Sequence, residues 1–215
     1  MSHLPLPDRD GGQRYPGLDV MALARHWDPA TTAAVAARVG VPTAVRFFTT
    51  AEVATASALF DQLFHQREEP RVPVVSHVDA RLAEEQTDGW RLASMPEDGQ
   101  AWRRSLAALD EDARDRHGLR FHELGWEEQT ALLRRVQHEN GSWHGLSADA
   151  IWSLWTRYAC TAFYAHPWAW EEIGFTGPAY PRGYKHLGVD AREPFEVADT
   201  RPAEDPVPEG EGASS

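Results

Sequence analysis

Apolar residues recur along much of the chain at the three- and four-residue spacing of an amphipathic helix. The clearest case runs through residues 147–166, where Ser147 is placed as an N-terminal cap before a broad apolar stripe. The members of the stripe are Ile151, Leu154, Trp155, Tyr158, Ala159, Ala162 and Phe163. Because proline disfavours helical geometry in the residue before it, Pro167 predicts that this helix ends near His166.

Cap and stop residues mark further helices. Asp28, Pro29 and Gly40 have the positions of a cap, a first helical residue and a stop. Thr49 followed three residues later by Glu52 is the pattern of a capping box. Three more helical patterns begin near residues 73, 96 and 125, and Gly118 is placed to end the second of them. No segment alternates convincingly as a strand would, so we predict an all-α fold, a single compact bundle-like domain of about six helices.

A different pattern follows the last helix. Residues 163–184 contain seven aromatic residues, three prolines and three glycines in 22 positions. Because glycine and proline specify turns, we predict a structured Gly/Pro/aromatic C-terminal loop. Two interpretations stand side by side: the aromatic side chains complete the core of the helices, or they form a surface that binds another protein, since interfaces are rich in Trp, Tyr and Arg.

Charge is distributed unevenly along the 215-residue chain. The net charge is −12, and residues 189–215 carry −6 of it together with four prolines. So polar a segment buries too little apolar area to offset its ordering entropy, and we predict a disordered acidic tail there. The predicted organisation is a Pro/Gly-rich N-terminal extension (1–27), a helical domain (28–188) and the tail (189–215). The negative charge opposes phosphate backbones, so no nucleic-acid partner is expected.

The sequence contains no run of about 20 apolar residues, the length needed for a membrane span. Its N-terminus resembles neither a secretory signal nor a paired-arginine export signal. We therefore expect a cytoplasmic protein without membrane insertion.

Candidate chemistry is sparse. The glycine-rich nucleotide loops and the Glu-x-x-His spacing of di-iron bundles do not occur. The single cysteine, Cys160, cannot form a disulfide within the chain, and we predict that it is buried and inert. His138 and His144 lie near each other in the sequence; we interpret them as polar loop residues, with a metal site as the alternative. No catalytic, cofactor or metal residue is assigned.

The segment "YAHPWAWEEIGFTGPAYPRGYKHL" resembles the C-terminal signature of the gluconate 2-dehydrogenase subunit 3 family. In that signature a helix ends at a His-Pro pair, and a short aromatic turn leads to Gly-Pro-x-x-Pro-x-Gly-Tyr. The helical segments "FFTTAEVATASALFDQLF" and "FHELGWEEQTALLRRV" are also similar to this family, so the resemblance covers about residues 45–187.

The resemblance implies a small helical subunit that is not an enzyme by itself and holds no cofactor. Such subunits accompany a large FAD-dependent dehydrogenase of the glucose–methanol–choline type that oxidises a sugar or sugar acid, and the FAD is expected in that partner. Several of them carry a twin-arginine export signal, which this N-terminus lacks. The expected role is therefore to bind and stabilise a cytoplasmic flavoprotein and to assist its folding and assembly.

The resemblance also indicates which residues contact the partner or shape the loop. They are His166, Pro167, Trp168, Trp170, Gly177, Pro178, Tyr180, Pro181, Gly183 and Tyr184. Two other hypotheses come from different classes: a stand-alone helical interaction or regulatory module, and a helical enzyme with a histidine-based metal site.

Overall fold

The computed structural model describes residues 15, 17–40, 44–186, 188 and 191–198. The chain divides into two compact units. The central unit is Gly40–Tyr164, and the terminal unit combines Met1–Val39 with Ala165–Ser215. The division falls inside the domain predicted for residues 28–188.

The central unit is built from α-helices and one short hairpin. Its elements are α2 (Thr50–Leu63), α3 (Val74–Ala83), α4 (Asp98–His117), a 3-10 helix (Phe121–Glu123), α5 (Trp126–His138), β1 (Ser142–Trp143), β2 (Leu146–Ser147) and α6 (Ala148–Phe163). Helix α2 packs against α3, α4 and α5, and α3 also packs against α6. Because helices account for nearly all of the regular structure in the described residues, the all-α prediction is confirmed.

The predicted helix caps are confirmed. Glu52 N donates to Thr49 Oγ1 at 3.3 Å while Thr49 N donates to Glu52 Oε2 at 2.7 Å, which completes the capping box of α2. Helix α4 ends at Gly118, which has a φ of +72°, the left-handed geometry that glycine adopts most easily. Ser147 accepts a hydrogen bond from Ala150 N and begins α6.

The apolar stripe of α6 faces the core of the central unit. Ile151, Trp155 and Tyr158 are at most 1% exposed, whereas Ala162 is half-buried. The Tyr158 ring meets the buried Trp102 of α4 edge-on, with ring centres 5.8 Å apart. Trp155 Nε1 donates to Ser105 Oγ at 3.0 Å, so this buried indole is hydrogen-bonded as well as packed.

A buried carboxylate holds the irregular backbone before α2. The Asp79 side chain on α3 is buried and accepts hydrogen bonds from the backbone N–H groups of Arg46, Phe47 and Phe48, at 2.7, 3.0 and 2.8 Å. Sequence reasoning did not identify this role. The helical pattern places Asp79 on α3 but does not show which backbone groups it meets.

The hairpin was not predicted. Strands β1 and β2 pair as Ser142 with Ser147 and Trp143 with Leu146. The two residues between them, His144 and Gly145, have φ values of +49° and +72°. Positive φ at both central positions is what a type I′ hairpin turn requires.

The terminal unit joins the two ends of the chain. It contains a 3-10 helix (Met21–His26), α1 (Pro29–Val39) and α7 (Pro167–Glu172). Thr31 N donates to Asp28 Oδ1 at 2.6 Å, which confirms the predicted cap of α1. The short helix α7 lies in the segment predicted as a loop, so that prediction was wrong for residues 167–172.

Part of the predicted acidic tail is described. Residues 191–198, here named the C-terminal strap, have an irregular backbone with one turn, and Val197 packs against apolar residues of the terminal unit. The rest of the tail and nearly all of the predicted N-terminal extension before residue 17 lie outside the described residues.

Candidate functional site

The ten residues singled out by the sequence occupy different depths of the terminal unit. His166, Pro167, Trp170 and Gly177 are buried, Trp168 and Pro178 are half-buried, and Tyr180, Pro181, Gly183 and Tyr184 are exposed. The first group is placed to shape the segment. The last group is accessible to solvent.

His166 and Pro167 begin helix α7. Helix α6 ends at Phe163, three residues earlier than expected, and the His166 Nδ1 atom accepts a hydrogen bond from Trp168 N at 3.2 Å as the cap of α7. Pro167 occupies the first helical position, where a missing N–H costs nothing and the fixed φ suits the helix. The His-Pro pair therefore starts α7, a signal that could have predicted this helix.

Trp170 belongs to a hydrophobic cluster that joins the two ends of the chain. The indole is 4% exposed and shares the cluster with Leu18, Val20, Trp27 and Val35. The neighbouring Glu171 is also buried and accepts a hydrogen bond from Val20 N at 3.0 Å. Residues 151 positions apart in the sequence thus fix the start of the C-terminal segment.

Gly177 allows the chain to pass close to Trp27. Its φ is +80°, and a Cβ atom at this position would lie 2.6 Å from Trp27 Cζ2. Both the backbone geometry and the space therefore require glycine here. Gly183 also has a positive φ, +70°, but no atom lies within 4 Å of where its Cβ would be. Of these two predicted loop residues, only Gly177 is required by packing.

Four large apolar side chains around this framework are exposed. Tyr180 is 65% exposed, Ile173 50%, Tyr184 49% and Phe175 41%. The Phe175 ring meets the edge of Trp170 with ring centres 5.2 Å apart, so this position is tied to the cluster below it. We name these four residues the docking residues. Exposed large apolar side chains mark protein-binding surfaces when they form a contiguous patch.

The C-terminal strap contacts the same segment. Both Lys185 N and His186 N donate to Glu193 Oε1, the latter at 2.5 Å, and His186 Nδ1 lies 2.9 Å from Glu193 Oε2. Hydrogen bonds from the His186 backbone and side chain lower the pKa of Glu193 to about 2. The Phe195 ring lies 3.7 Å from the guanidinium carbon of Arg182. Sequence reasoning missed Glu193 because it is one of many acidic residues in a polar stretch.

The candidate histidines form local hydrogen bonds in the central unit. His144 Nε2 lies 2.9 Å from Asp112 Oδ1, and His138 Nδ1 lies 2.7 Å from the carbonyl oxygen of Arg134. Across the described residues, no three His, Cys, Asp or Glu side chains are grouped as a metal site would need.

Cys160 is exposed on α6, so the prediction that it is buried was wrong. Residue 160 falls beside the apolar stripe rather than within it. Partial desolvation nevertheless raises the pKa of the Cys160 thiol. A raised pKa lowers the thiolate fraction, which is the opposite of what an activated nucleophile requires.

The central unit also has a surface cleft of about 1130 Å³ beside the loop that joins α3 to α4. Several of its polar side chains already have partners. Arg46 pairs with Glu84 at 2.6 Å, and Tyr158 donates to Asp98 at 2.7 Å. These pairs stabilise the walls of the cleft, and we assign it no ligand.

Comparison with known proteins identifies the family. The family model described as gluconate 2-dehydrogenase subunit 3 matches residues 22–177. The chain belongs to the gluconate 2-dehydrogenase subunit 3 family. The match begins earlier than the resemblance seen in the sequence and includes α1. It ends at residue 177, so Tyr180, Tyr184 and the strap lie beyond the part of this subunit 3 chain that the family model covers. Searches of curated proteins and of solved structures found no match.

The family name indicates an accessory subunit of a gluconate dehydrogenase complex, and hence a dehydrogenase partner. Within the described part of this subunit 3 chain, no helix is both long and apolar enough to cross a membrane.

Proposed function

We propose that this chain is a non-catalytic small subunit that binds and stabilises a large FAD-dependent dehydrogenase of the glucose–methanol–choline type. The partner oxidises a sugar or sugar acid and holds the FAD. The observation that carries the proposal is the family match over residues 22–177, since the family is named for a subunit of gluconate 2-dehydrogenase. We propose that the complex is located in the cytoplasm.

The docking residues are the surface through which the subunit binds. Tyrosine side chains bury a large area while freezing few rotatable bonds, so they contribute strongly at the centre of protein interfaces. Tyr180 and Tyr184 are largely exposed, and they follow a backbone held by the buried Trp170 and by the close approach of Gly177 to Trp27. A surface fixed before binding loses less conformational entropy when the complex forms.

The ionisable side chains of α6 support a role without chemistry of its own. Burial and the hydrogen bond to Asp98 raise the pKa of Tyr158, and desolvation raises the pKa of Cys160. Both groups are thereby kept protonated, whereas a nucleophile would need the ionised form.

Binding alone can stabilise the partner. A subunit that binds only the folded dehydrogenase shifts its folding equilibrium by RT ln(1 + [L]/Kd), about 2.7 kcal/mol at a hundredfold excess over Kd. That amount is a substantial fraction of the total stability of a typical domain. The subunit would thus raise the population of folded dehydrogenase that can retain FAD.

The docking residues provide the test. The chain and a flavin-dependent dehydrogenase of the glucose–methanol–choline type from the same genome are purified separately, and their Kd is measured by calorimetry. We expect the double substitution Tyr180→Ala and Tyr184→Ala to weaken binding at least tenfold, because both side chains lose interface area. Leu119→Ala is the matched control, since Leu119 is a 47% exposed apolar residue of the central unit.

The two substitutions should leave the melting temperature of the isolated subunit nearly unchanged, which separates lost contacts from lost folding. Equal affinity of the double variant and the Leu119→Ala control would place the interface elsewhere. No binding by the unaltered chain would overturn the proposed function.

A further inference from the structure

The backbone that carries the exposed tyrosines has no regular secondary structure. Between residues 175 and 186 the chain forms neither helix nor strand. One local hydrogen bond, from Gly183 N to the Ala179 carbonyl oxygen at 2.7 Å, closes a turn around Tyr180. The backbone N–H groups of Lys185 and His186, farther along, find their acceptors outside this turn.

Glu193 supplies those acceptors. One of its carboxylate oxygens accepts from two consecutive backbone groups, Lys185 N and His186 N, and the other lies against the His186 imidazole. The Glu193 side chain is only 4% exposed. Hydrogen bonds to a carboxylate are stronger than those between neutral groups, so one side chain restrains the backbone immediately after Tyr184.

The strap that carries Glu193 is itself anchored at two points. A turn holds Glu193 in place: Glu193 N donates to Glu196 Oε2 at 2.6 Å, and Glu196 N donates to the Glu193 carbonyl oxygen at 3.0 Å. Beyond the turn, Val197 packs against the hydrophobic cluster that contains Trp170. The strap therefore links residues 185–186 to the same core that holds the start of the segment.

The strap also reaches the docking residues directly. The Phe195 ring centre lies 6.2 Å from that of Tyr184. The same ring covers Arg182, whose Nη2 donates to the Pro178 carbonyl oxygen at 3.0 Å. Residues 178–186 are thus restrained from the strap side by an aromatic contact as well as by the Glu193 carboxylate.

We propose that the C-terminal strap preorganises the docking surface, with Glu193 as the residue that holds Tyr180 and Tyr184 in the arrangement the dehydrogenase binds. This inference rests on the proposed function, since it concerns the same interface. Glu193 is a positioning residue: it acts through the backbone of residues 185–186. If the binding-competent arrangement is only fractionally populated without it, the apparent Kd rises by the inverse of that fraction.

The experiment combines a measurement on the isolated subunit with a binding measurement. Hydrogen exchange of the Lys185 and His186 amides is followed by NMR in the full chain and in its Glu193→Ala and Glu193→Gln variants. We expect exchange to accelerate at least tenfold in Glu193→Ala, because both amides lose their acceptor. Glu193→Gln should give an intermediate rate, because the amide oxygen still accepts but carries no charge.

Binding to the same dehydrogenase is then measured by calorimetry. We expect Glu193→Ala to raise Kd about tenfold, in parallel with the exchange rate. Glu139→Ala is the matched control, since it removes one negative charge from an exposed residue just after α5 and should leave both measurements unchanged. A loss of affinity shared by this control would show a general charge effect and overturn the inference.

The two measurements distinguish a failure of this inference from a failure of the proposed function. Unchanged exchange in Glu193→Ala contradicts the restraint itself, whatever the partner does. Faster exchange with unchanged Kd shows that the restraint is real but not used in docking, which overturns the inference and leaves the proposed function standing. No binding by the unaltered chain overturns both.

Discussion

The central and terminal units are held together by contacts of different sequence range. In the central unit, apolar residues repeat at helical spacing and face the core, as in α6 with Ile151, Trp155 and Tyr158. In the terminal unit, the decisive contacts join distant parts of the chain, such as Val20 N with the Glu171 carboxylate across 151 positions. Short-range patterns therefore describe the scaffold well, whereas the surface proposed for binding depends on long-range contacts.

The two units nevertheless share one structural device. Asp79 in the central unit and Glu193 in the terminal unit each place a buried carboxylate where consecutive backbone N–H groups need an acceptor. In both cases the backbone being held is irregular. The units differ in what the restrained backbone supports. In the central unit it leads to the buried Phe48 at the start of the helical core, and in the terminal unit it follows the exposed tyrosines.

The largest effect is expected at Asp79. Substitution Asp79→Ala leaves the N–H groups of residues 46–48 without their acceptor; an unsatisfied N–H costs about 1–3 kcal/mol when it is buried, as at Phe48, and less at the partly buried Arg46 and Phe47. We expect the free energy of unfolding to fall by about 3–5 kcal/mol in urea denaturation. Asp115→Ala, at an exposed position of α4, is the control and should change it by less than about 0.5 kcal/mol. A loss below about 1 kcal/mol at Asp79 would show that this backbone segment does not depend on the carboxylate.

The next largest effect is a difference in stability between substitutions at two glycines of the terminal unit. Gly177→Ala places a methyl group 2.6 Å from Trp27 Cζ2 at a φ of +80°, so we expect a loss of about 2–4 kcal/mol from strain and displaced packing. Gly183→Ala meets no neighbour within 4 Å and should cost only about 1 kcal/mol for its φ of +70°. Thermal denaturation of both variants measures the difference. Equal losses would contradict the close approach of Gly177 to Trp27.

The smallest effect is a pH dependence within the central unit. Burial raises the pKa of Asp61 to about 6, above its ordinary value of 3.8, and the ion pair with Arg71 only partly opposes this. The folded chain therefore binds more protons than the unfolded chain between about pH 4 and 6. Asp61 contributes stability below that range and loses its contribution as the pH rises through 6. Allowing for the partial exposure of Asp61, we expect its contribution to the free energy of unfolding to fall by about 1–2 kcal/mol across this pH range.

Asp61→Asn removes this titration. The difference in unfolding free energy between the unaltered chain and the variant should therefore shift by that amount between pH 4 and 7, measured by urea denaturation at each pH. Glu193 also titrates, and its lowered pKa makes the protein less stable as the pH falls below about 4.5. This effect is the same in both proteins, so it cancels in the difference between them. Parallel curves for the two proteins would contradict the raised pKa of Asp61.

Sequence patterns predicted the scaffold because its signals are local. The capping box of Thr49 and Glu52, the cap at Asp28 and the glycine stop at Gly118 all act within a few residues, and each was located correctly. Helix α7 escaped prediction because six residues are too few to show a helical period, although Pro167 marked its first turn.

The sequence indicated which segment forms the candidate site but not which of its side chains are exposed. Composition drew attention to residues 163–184, yet it did not separate Trp170, which is buried, from Tyr180, which is exposed. That separation depends on Leu18, Val20 and Trp27 at the other end of the chain. For the same reason Glu193 could not be told apart from the other acidic residues after position 188, because its partners are defined only by the folded backbone.

The measurement that tests the central claim most directly is the FAD content of the partner. The dehydrogenase used in the binding experiment is expressed with and without this chain, and bound FAD per polypeptide is determined in the soluble fraction. The account predicts severalfold more soluble, FAD-loaded dehydrogenase when the chain is present, and a smaller gain with the Tyr180→Ala and Tyr184→Ala double variant. Equal yield, FAD content and activity without the chain would contradict it.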